Sequence, residues 1–153
     1  MPVKDRFEIY VDKSGDCWEW TGYKSKKGYG VFNATSPATS AHRFAFQAFI
    51  GEIPEGAEVD HRCLNRGCVR PDHLRLTTRK QNMENRAGAS IASGSGIRGV
   101  HYRKDIGKWH AYVVHHGRNY FLGYHETAEA ADAAATAKRL ELFTHNELDR
   151  RNS

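Results

Sequence analysis

The sequence predicts an α+β protein built as two small units in series. Three observations carry this. Residues 57–86 read as strand, long loop, strand and short helix, with the loop rich in Cys and His. Residues 97–125 read as three short alternating strands, and an Ala-rich helical stretch follows them. Between the two, "RAGASIASGSG" (86–96) has neither helical nor strand period and is made largely of small residues, the composition of a linker. The expected division is 1–86 for the first unit, 87–96 for the linker, 97–145 for the second unit and 146–153 for a C-terminal tail. A chain of 153 residues has room for two such units.

In the first unit "CWEW" (17–20) and "YGVFN" (29–33) are expected to pair as strands around the polar loop "TGYKSKKG". In "SAHRFAFQAFIG" (40–51), Ala41, Phe44, Ala45, Ala48 and Phe49 fall at helical spacing. Ser40 can cap that helix and Gly51 can end it. "AEVDH" (57–61) and "HLRLT" (73–77) read as strands on either side of the irregular loop. "TTRKQNMENR" (77–86) is a short helix, with Thr78 and Gln81 at capping-box spacing.

In the second unit the strands are "IRGVHYR" (97–103), "KWHAYVVH" (108–115) and "RNYFLGYH" (118–125). The two-residue loop "HG" between the last two is a hairpin signal. "TAEAADAAATAKRLEL" (127–142) is helical with Thr127 as cap. Alternation puts Val100, Tyr102, Trp109, Ala111, Val113, Tyr120, Leu122 and Tyr124 on the face assigned to the helix. The other face then presents His101, Arg103, His110, Tyr112, Asn119 and Phe121.

Charge is localised. The chain carries 23 Lys plus Arg against 18 Asp plus Glu, a formal +5. Residues 61–86 hold seven cations (Arg62, Arg66, Arg70, Arg75, Arg79, Lys80, Arg86) and two acids (Asp72, Glu84), so this stretch accounts for the whole excess. Such a cluster favours a polyanionic partner. No apolar run approaches the ~18 residues of a membrane span, and "MPVKDRFEIY" lacks the apolar region of a secretory signal. An odd three Cys without an export signal predicts reduced thiols in a cytosol rather than a disulfide framework.

The loop raises the question of metal. Cys63, Cys68 and His73 have the spacing Cys-x4-Cys-x4-His, and two thiolates with an imidazole suit tetrahedral zinc. Cys17 is the expected fourth ligand and His42 its reserve. The loop has little apolar content beyond Leu64 and Val69, so ligation of Zn2+ would order it where burial cannot. On spacing alone, scattered structural cysteines and a surface histidine fit about as well. Asp60, His61 and Asn82 bring different chemistry: oxygen donors suited to Mg2+, or Mn2+, and an imidazole able to take a proton from water. Taken singly, each also reads as an ordinary polar strand end or helix residue.

The run Asp60, His61, Cys63, Cys68, His73 and Asn82 resembles that of the HNH and His-Cys box endonucleases, which share a ββα-metal core. The "CWEW" and "AHR" lead-in is similar to that of phage HNH proteins, and the likeness spans roughly 16–86. The resemblance implies a zinc-stabilised ββα-metal nuclease fold with His61 as general base, and Asp60 with Asn82 holding catalytic Mg2+. Arg43, on the preceding helix, is a candidate phosphate contact. The implied reaction is hydrolysis of double-stranded DNA to a 5′-phosphate and a 3′-hydroxyl, with Arg62, Arg66, Arg70, Arg75, Arg79, Lys80 and Arg86 on the DNA backbone. One departure from the family pattern is that the middle Asn of the HNH name falls on His73.

The second unit, through "RGV", "GKWHA", "FLG" and "TAEAADAA", resembles the plant ethylene-response-factor (APETALA-type) DNA-binding domain over about 95–142. That family lays its sheet in the major groove. The resemblance implies DNA contacts by Arg98, His101, Arg103, His110, Tyr112, Asn119 and Phe121. Together the units imply a sequence-guided endonuclease of phage or mobile-element, homing type, intracellular in a host cell, its oligomeric state open. The alternatives are a non-catalytic, zinc-stabilised DNA-binding regulator and, on weaker grounds, an RNA-binding protein.

Overall fold

A computed structural model describes residues 1–33, 36–85, 89 and 93–152, the last without its side chain. Expected contact residue Arg86 and half of the expected linker (87, 88 and 90–92) lie outside the described residues. The chain divides into two compact units, Met1–Asn82 and Met83–Ser153.

The first unit opens with a helix absent from the sequence reading, α1 (Val3–Glu8). Its Phe7 is 1% exposed and stacks on Trp20, ring centroids 5.1 Å apart. One aromatic in a six-residue helix leaves no period to detect, so burial against Trp20 rather than local pattern holds it. Strand β1 (Val11–Asp12) follows and pairs with β2 (Glu19–Trp20). Strand β3 (Val31–Phe32) pairs with β4 (Thr39–Ser40). The expected pairing of 17–20 with 29–33 is therefore displaced. The loop closes instead through Tyr23–Ser25 and Tyr29–Val31, with Ser25 N donating to Tyr29 O at 2.8 Å and Val31 N to Tyr23 O at 2.9 Å. The cause is Trp20, whose indole lies where a Cβ on Gly30 would come within 2.6 Å of it. Only glycine lets that ring pack down on the loop.

Helix α2 (Ala41–Phe49) buries Ala41, His42, Ala45 and Phe46. It packs on a hairpin of β5 (Glu58–His61) and β6 (Leu74–Thr77), antiparallel with Asp60 opposite Arg75 and His61 opposite Leu74. The core joins Phe7, Trp20, Phe32, Ala45, Phe46, Val59, Val69 and Leu74. Helix α3 (Arg79–Glu84) starts in a reciprocal capping box, Gln81 N on Thr78 Oγ1 at 3.2 Å and Thr78 N on Gln81 Oε1 at 3.0 Å.

The second unit is an antiparallel sheet of β7 (Val100–Arg103), β8 (Lys108–His115) and β9 (Arg118–His125), backed by α4 (Ala128–Leu142). His116 and Gly117 both have positive φ, 51° and 72°, as the tight hairpin turn requires. Thr127 caps α4 by accepting from Ala130 N at 3.2 Å. Ala131 and Ala135, one turn apart and fully buried, let the helix close on Val100, Ala111 and Val113.

Two expectations are corrected here. Alternation fails in β9: Phe121 pairs with Tyr112 but Tyr124 pairs with His110, so two residues, Leu122 and Gly123, oppose Ala111 alone. Gly123 takes φ 95° at this bulge. Tyr124 is thereby turned off the helix face onto the outer face, against His110 and Phe121. The stretch expected as a tail also folds, as α5 (Glu147–Asn152). Arg139, 4% exposed on α4, donates through Nε to Asp149 Oδ2 at 2.6 Å and through Nη2 to Asp149 Oδ1 at 3.1 Å, tying α5 down. Met83–Asn85 belong with this unit. The buried Glu84 carboxylate accepts from Thr144 N at 3.1 Å, and Asn85 Oδ1 accepts from Glu147 N at 3.0 Å.

Candidate metal centre and catalytic hairpin

The loop between β5 and β6 runs back alongside β2. Trp20 N donates to Gly67 O at 2.9 Å and Val69 N to Trp18 O at 2.8 Å. This ladder brings Cys17, far away in sequence, beside Cys68. One donor atom each from Cys17, Cys63, Cys68 and His73 lies within 4.8 Å of the others. His73 Nδ1 is 3.6 Å from Cys17 Sγ and 3.5 Å from Cys68 Sγ. Donors at the corners of a tetrahedral zinc site, with bonds of about 2.3 Å to sulfur and 2.0 Å to nitrogen, are separated by about 3.5–3.8 Å. The set fits such an ion.

The donor chemistry agrees. The neighbouring Cys63 and burial push the Cys68 thiol up, and burial pushes Cys17 up, while the hydrogen bond with Cys68 pulls Cys63 down, so the three sulfurs are electrostatically coupled to one another. On the far side of the His73 ring, Nε2 is 3.6 Å from an Asp16 carboxylate oxygen, the outer partner a metal-bound imidazole commonly has. Asp16 escaped the sequence reading although it adjoins Cys17. The reserve ligand His42 is outside the set: it points into the core, against His61.

His61 ends β5, 5% exposed. Its Nε2 lies 3.0 Å from the backbone carbonyl of Cys68. A carbonyl only accepts, so Nε2 carries the proton and Nδ1 the lone pair. Burial first, and then Arg66 and His73, pull the His61 pKa below the ordinary imidazole value, outweighing the Cys68 carbonyl and Asp60. The ring is neutral at pH 7. It sits among rings: His42 at 4.7 Å and Tyr29 at 6.1 Å between centroids, with the Arg66 guanidinium 5.4 Å over Tyr29. Burial, then the charges of His61 and Arg43, push the His42 pKa down to about 3. Its Nδ1 has no hydrogen-bond partner among the described residues. Arg43, half-buried, follows His42 on α2.

Along β5 side chains alternate. Val59 and His61 face the core under α2, while Glu58 and Asp60 occupy the other face. Asp60 is 6% exposed and accepts through Oδ2 from Arg75 Nε at 3.0 Å and Nη2 at 2.9 Å. Asn82 donates through Nδ2 to Glu58 Oε2 at 2.5 Å, which sets the amide on the Asp60 side of the hairpin. Glu58 was not singled out in the sequence; its signal is its place two residues before Asp60 on the same strand.

The basic residues divide by environment. Arg62, Arg79 and Lys80 are exposed; Arg66 is exposed with its guanidinium on Lys27 O at 3.0 Å. Arg70 is held by Asp16 and Asp72, and Arg75 by Asp60. In the second unit His101, Arg103, Asn119 and Phe121 are exposed and His110 and Tyr112 half-buried. Arg98 instead donates to Glu84 O at 3.0 Å and Met83 O at 3.3 Å and lies over Phe143.

The hairpin thus carries an oriented histidine, is closed by a Cys3His loop and is followed by an Asn-bearing helix. Residues 40–84 match the family model described as HNH endonuclease. The chain is similar to two proteins of Escherichia phage T7. It is 39% identical to Protein 7.7 over 69 residues (45% of this chain, 53% of that protein). It is 40% identical to Protein 2.8 over 76 residues (48% of this chain, 50% of that protein). The gene 5.3 protein of Enterobacteria phage T3 is 40% identical over 42 residues, 28% of this chain and 42% of that one. The chain thus spans about half the length of the T7 relatives. No solved structure matches. Among the described residues no helix is long and apolar enough to cross a membrane.

Proposed function

We propose that this protein is a metal-dependent DNA endonuclease, of phage or mobile-element homing type, whose second unit selects the site. The observation that carries the proposal is the hydrogen bond from His61 to the Cys68 carbonyl inside the HNH-matched segment. It fixes the tautomer a general base needs, with Nδ1 ready to take a proton from water as the oxygen attacks phosphorus. Cys17, Cys63, Cys68 and His73 would hold a structural Zn2+, which would fix the loop that supplies this carbonyl. Asp60 and Asn82 would hold Mg2+, or Mn2+, which neutralises charge on the scissile phosphate. Asp60 and His61 are consecutive at the end of β5 but face opposite sides of it, so a phosphate serving both would have to bind at the strand's exit. Arg43 contacts the phosphate. Arg62, Arg66, Arg79 and Lys80 hold the DNA backbone, while Arg70 and Arg75 also brace the hairpin. The products are a 5′-phosphate and a 3′-hydroxyl. In the second unit the outer sheet face, with His101, Arg103, His110, Tyr112, Asn119 and Phe121, reads the major groove as in ethylene-response-factor domains.

The test is plasmid cleavage with added Mg2+. The expected result is nicked or linear product from the wild-type chain, and none after chelation or with His61→Ala. Cleavage that persists in His61→Ala removes the mechanism. The Asp60–Arg75 pair favours a second reading, a non-catalytic DNA-binding regulator, because it already neutralises one proposed ion ligand. Under that reading the metal-loaded wild-type chain binds DNA and never cuts it.

A further inference from the structure

The outer face of the second unit carries an unusual chemistry for a surface meant to read bases. Its centre is a set of touching rings. His101 stacks on Tyr112 with centroids 5.1 Å apart, and His101 Nε2 lies 3.0 Å from the Tyr112 hydroxyl. His110 lies 5.4 Å from Tyr112 and 5.2 Å from Phe121, and Phe121 meets Tyr124 edge-on at 5.1 Å. Tyr124 joins this set only because of the bulge at Gly123. Phe121 is nonetheless 57% exposed and Tyr124 46%. These rings brace one another and keep apolar edges in solvent.

The cations of the same face have partners. Arg103 donates to Asp105 at 2.9 and 2.7 Å, and Lys108 to Glu126 at 2.6 Å. Guanine is read in the major groove by a bidentate Arg or Lys on O6 and N7, whereas thymine is read by an apolar group against its C5-methyl and adenine by an Asn or Gln amide. This face offers Phe121 and Tyr124 for a methyl and the exposed Asn119 for adenine. Asn119 and Phe121 are two residues apart on β9, about 6.8 Å along an antiparallel strand, close to two base-pair steps at about 3.4 Å each.

Charge says which side meets the duplex. Residues 98–125 hold five cations (Arg98, Arg103, Lys104, Lys108, Arg118) and one acid (Asp105). Residues 126–152, which include helices α4 and α5, hold four cations and six acids. A polyanion is drawn to the sheet and repelled from its backing.

We infer that the second unit selects A·T-containing sites, placing Phe121, flanked by Tyr124, against a thymine methyl and Asn119 on an adenine two base-pair steps away. This rests on reading that unit as the DNA reader. The experiment uses the full chain, without added Mg2+, to select binding sites from random duplexes. The recovered site is then remade with uracil in place of each thymine, which deletes only the methyl. The expected core contains A·T pairs, and one uracil within it weakens binding about fourfold, the ratio for a buried methyl of ~0.8 kcal/mol. Phe121→Ala should lose that thymine–uracil difference while keeping its melting temperature, since the ring is largely exposed. Asn119→Ala should relax selection two steps away. A core of G·C pairs alone, or equal affinity for thymine and uracil duplexes, overturns the inference and leaves the reader assignment standing. Binding with no sequence preference in any pool overturns both.

Discussion

Replacing Cys17 with alanine tests whether the distant strand closes the metal loop. Of residues 62–72 only Gly67, Cys68 and Val69 are buried, so apolar contact does little to order the segment. Coordination has to supply most of that energy, on the order of 10 kcal/mol or more for a four-donor zinc site. With the four donors contributing about equally, loss of one removes ~2.5 kcal/mol, about 70-fold in zinc affinity. For a unit of this size such a loss lowers the melting temperature by about 10–20 °C. Zinc affinity is read by competition with a chromophoric chelator, and stability by thermal melting of the metal-loaded full chain. Cys17→Ala should retain the secondary structure of the second unit while losing zinc far more readily. A variant that holds zinc with wild-type affinity and melts unchanged would refute the four-donor site. Loss of zinc in His42→Gln rather than in Cys17→Ala would refute it in favour of the core histidine.

Three further outcomes follow from the geometry. His42 has an ordinary value of 6.5 and a folded value of about 3, so below pH 6.5 the unfolded chain takes up a proton that the native state excludes. Its contribution to stability is therefore whole above pH 6.5 and falls by about 1.4 kcal/mol per pH unit between roughly pH 6 and 4. Denaturant titrations of wild type and His42→Gln should differ by that slope, since acid release of zinc is common to both, and equal slopes would contradict the burial argument. Arg139→Ala leaves the buried Asp149 carboxylate without its guanidinium and should cost about 3–5 kcal/mol in chemical denaturation; a loss under 1 kcal/mol would mean that α5 is held by other contacts. DNA affinity should fall with salt at a logarithmic slope of about −4 to −5, as five phosphate contacts by Arg43, Arg62, Arg66, Arg79 and Lys80 require. Arg79→Ala combined with Lys80→Ala should make that slope shallower by about 2 in filter-binding or anisotropy titrations.

Much of the scaffold could be read from local pattern because local physics decides it. The capping box at Thr78 and Gln81, the Thr127 cap and the positive-φ pair His116–Gly117 each depend on residues within a few positions of one another. The gathering of Cys63, Cys68 and His73 was legible for the same reason: their spacing is short. What escaped depends on distant partners. Helix α1 exists because Phe7 finds Trp20, and the strand pairs formed by 19–20 and 31–32 follow from an indole resting on Gly30. Alternation put Tyr124 on the helix face because a strand period assumes no extra residue; the Gly123 that admits one was visible, but not its effect on register. At the site, charge counting placed Arg75 among the DNA contacts and Asp60 among the ion ligands. Sequence had no means to show that they stand opposite each other across the hairpin, at 2.9 Å. Glu58 was passed over because a glutamate at a strand start is unremarkable until Asn82 comes down on it.

Cys68 belongs to two arrangements at once. Its sulfur is one donor of the Cys3His set, and one peptide unit away its carbonyl steers the imidazole of His61. On the proposed roles, a chain without its ion would lose the fixed direction of its base together with the fixed loop. Metal supply would then be an arming step, separating attachment to DNA through the sheet from the ability to cut it.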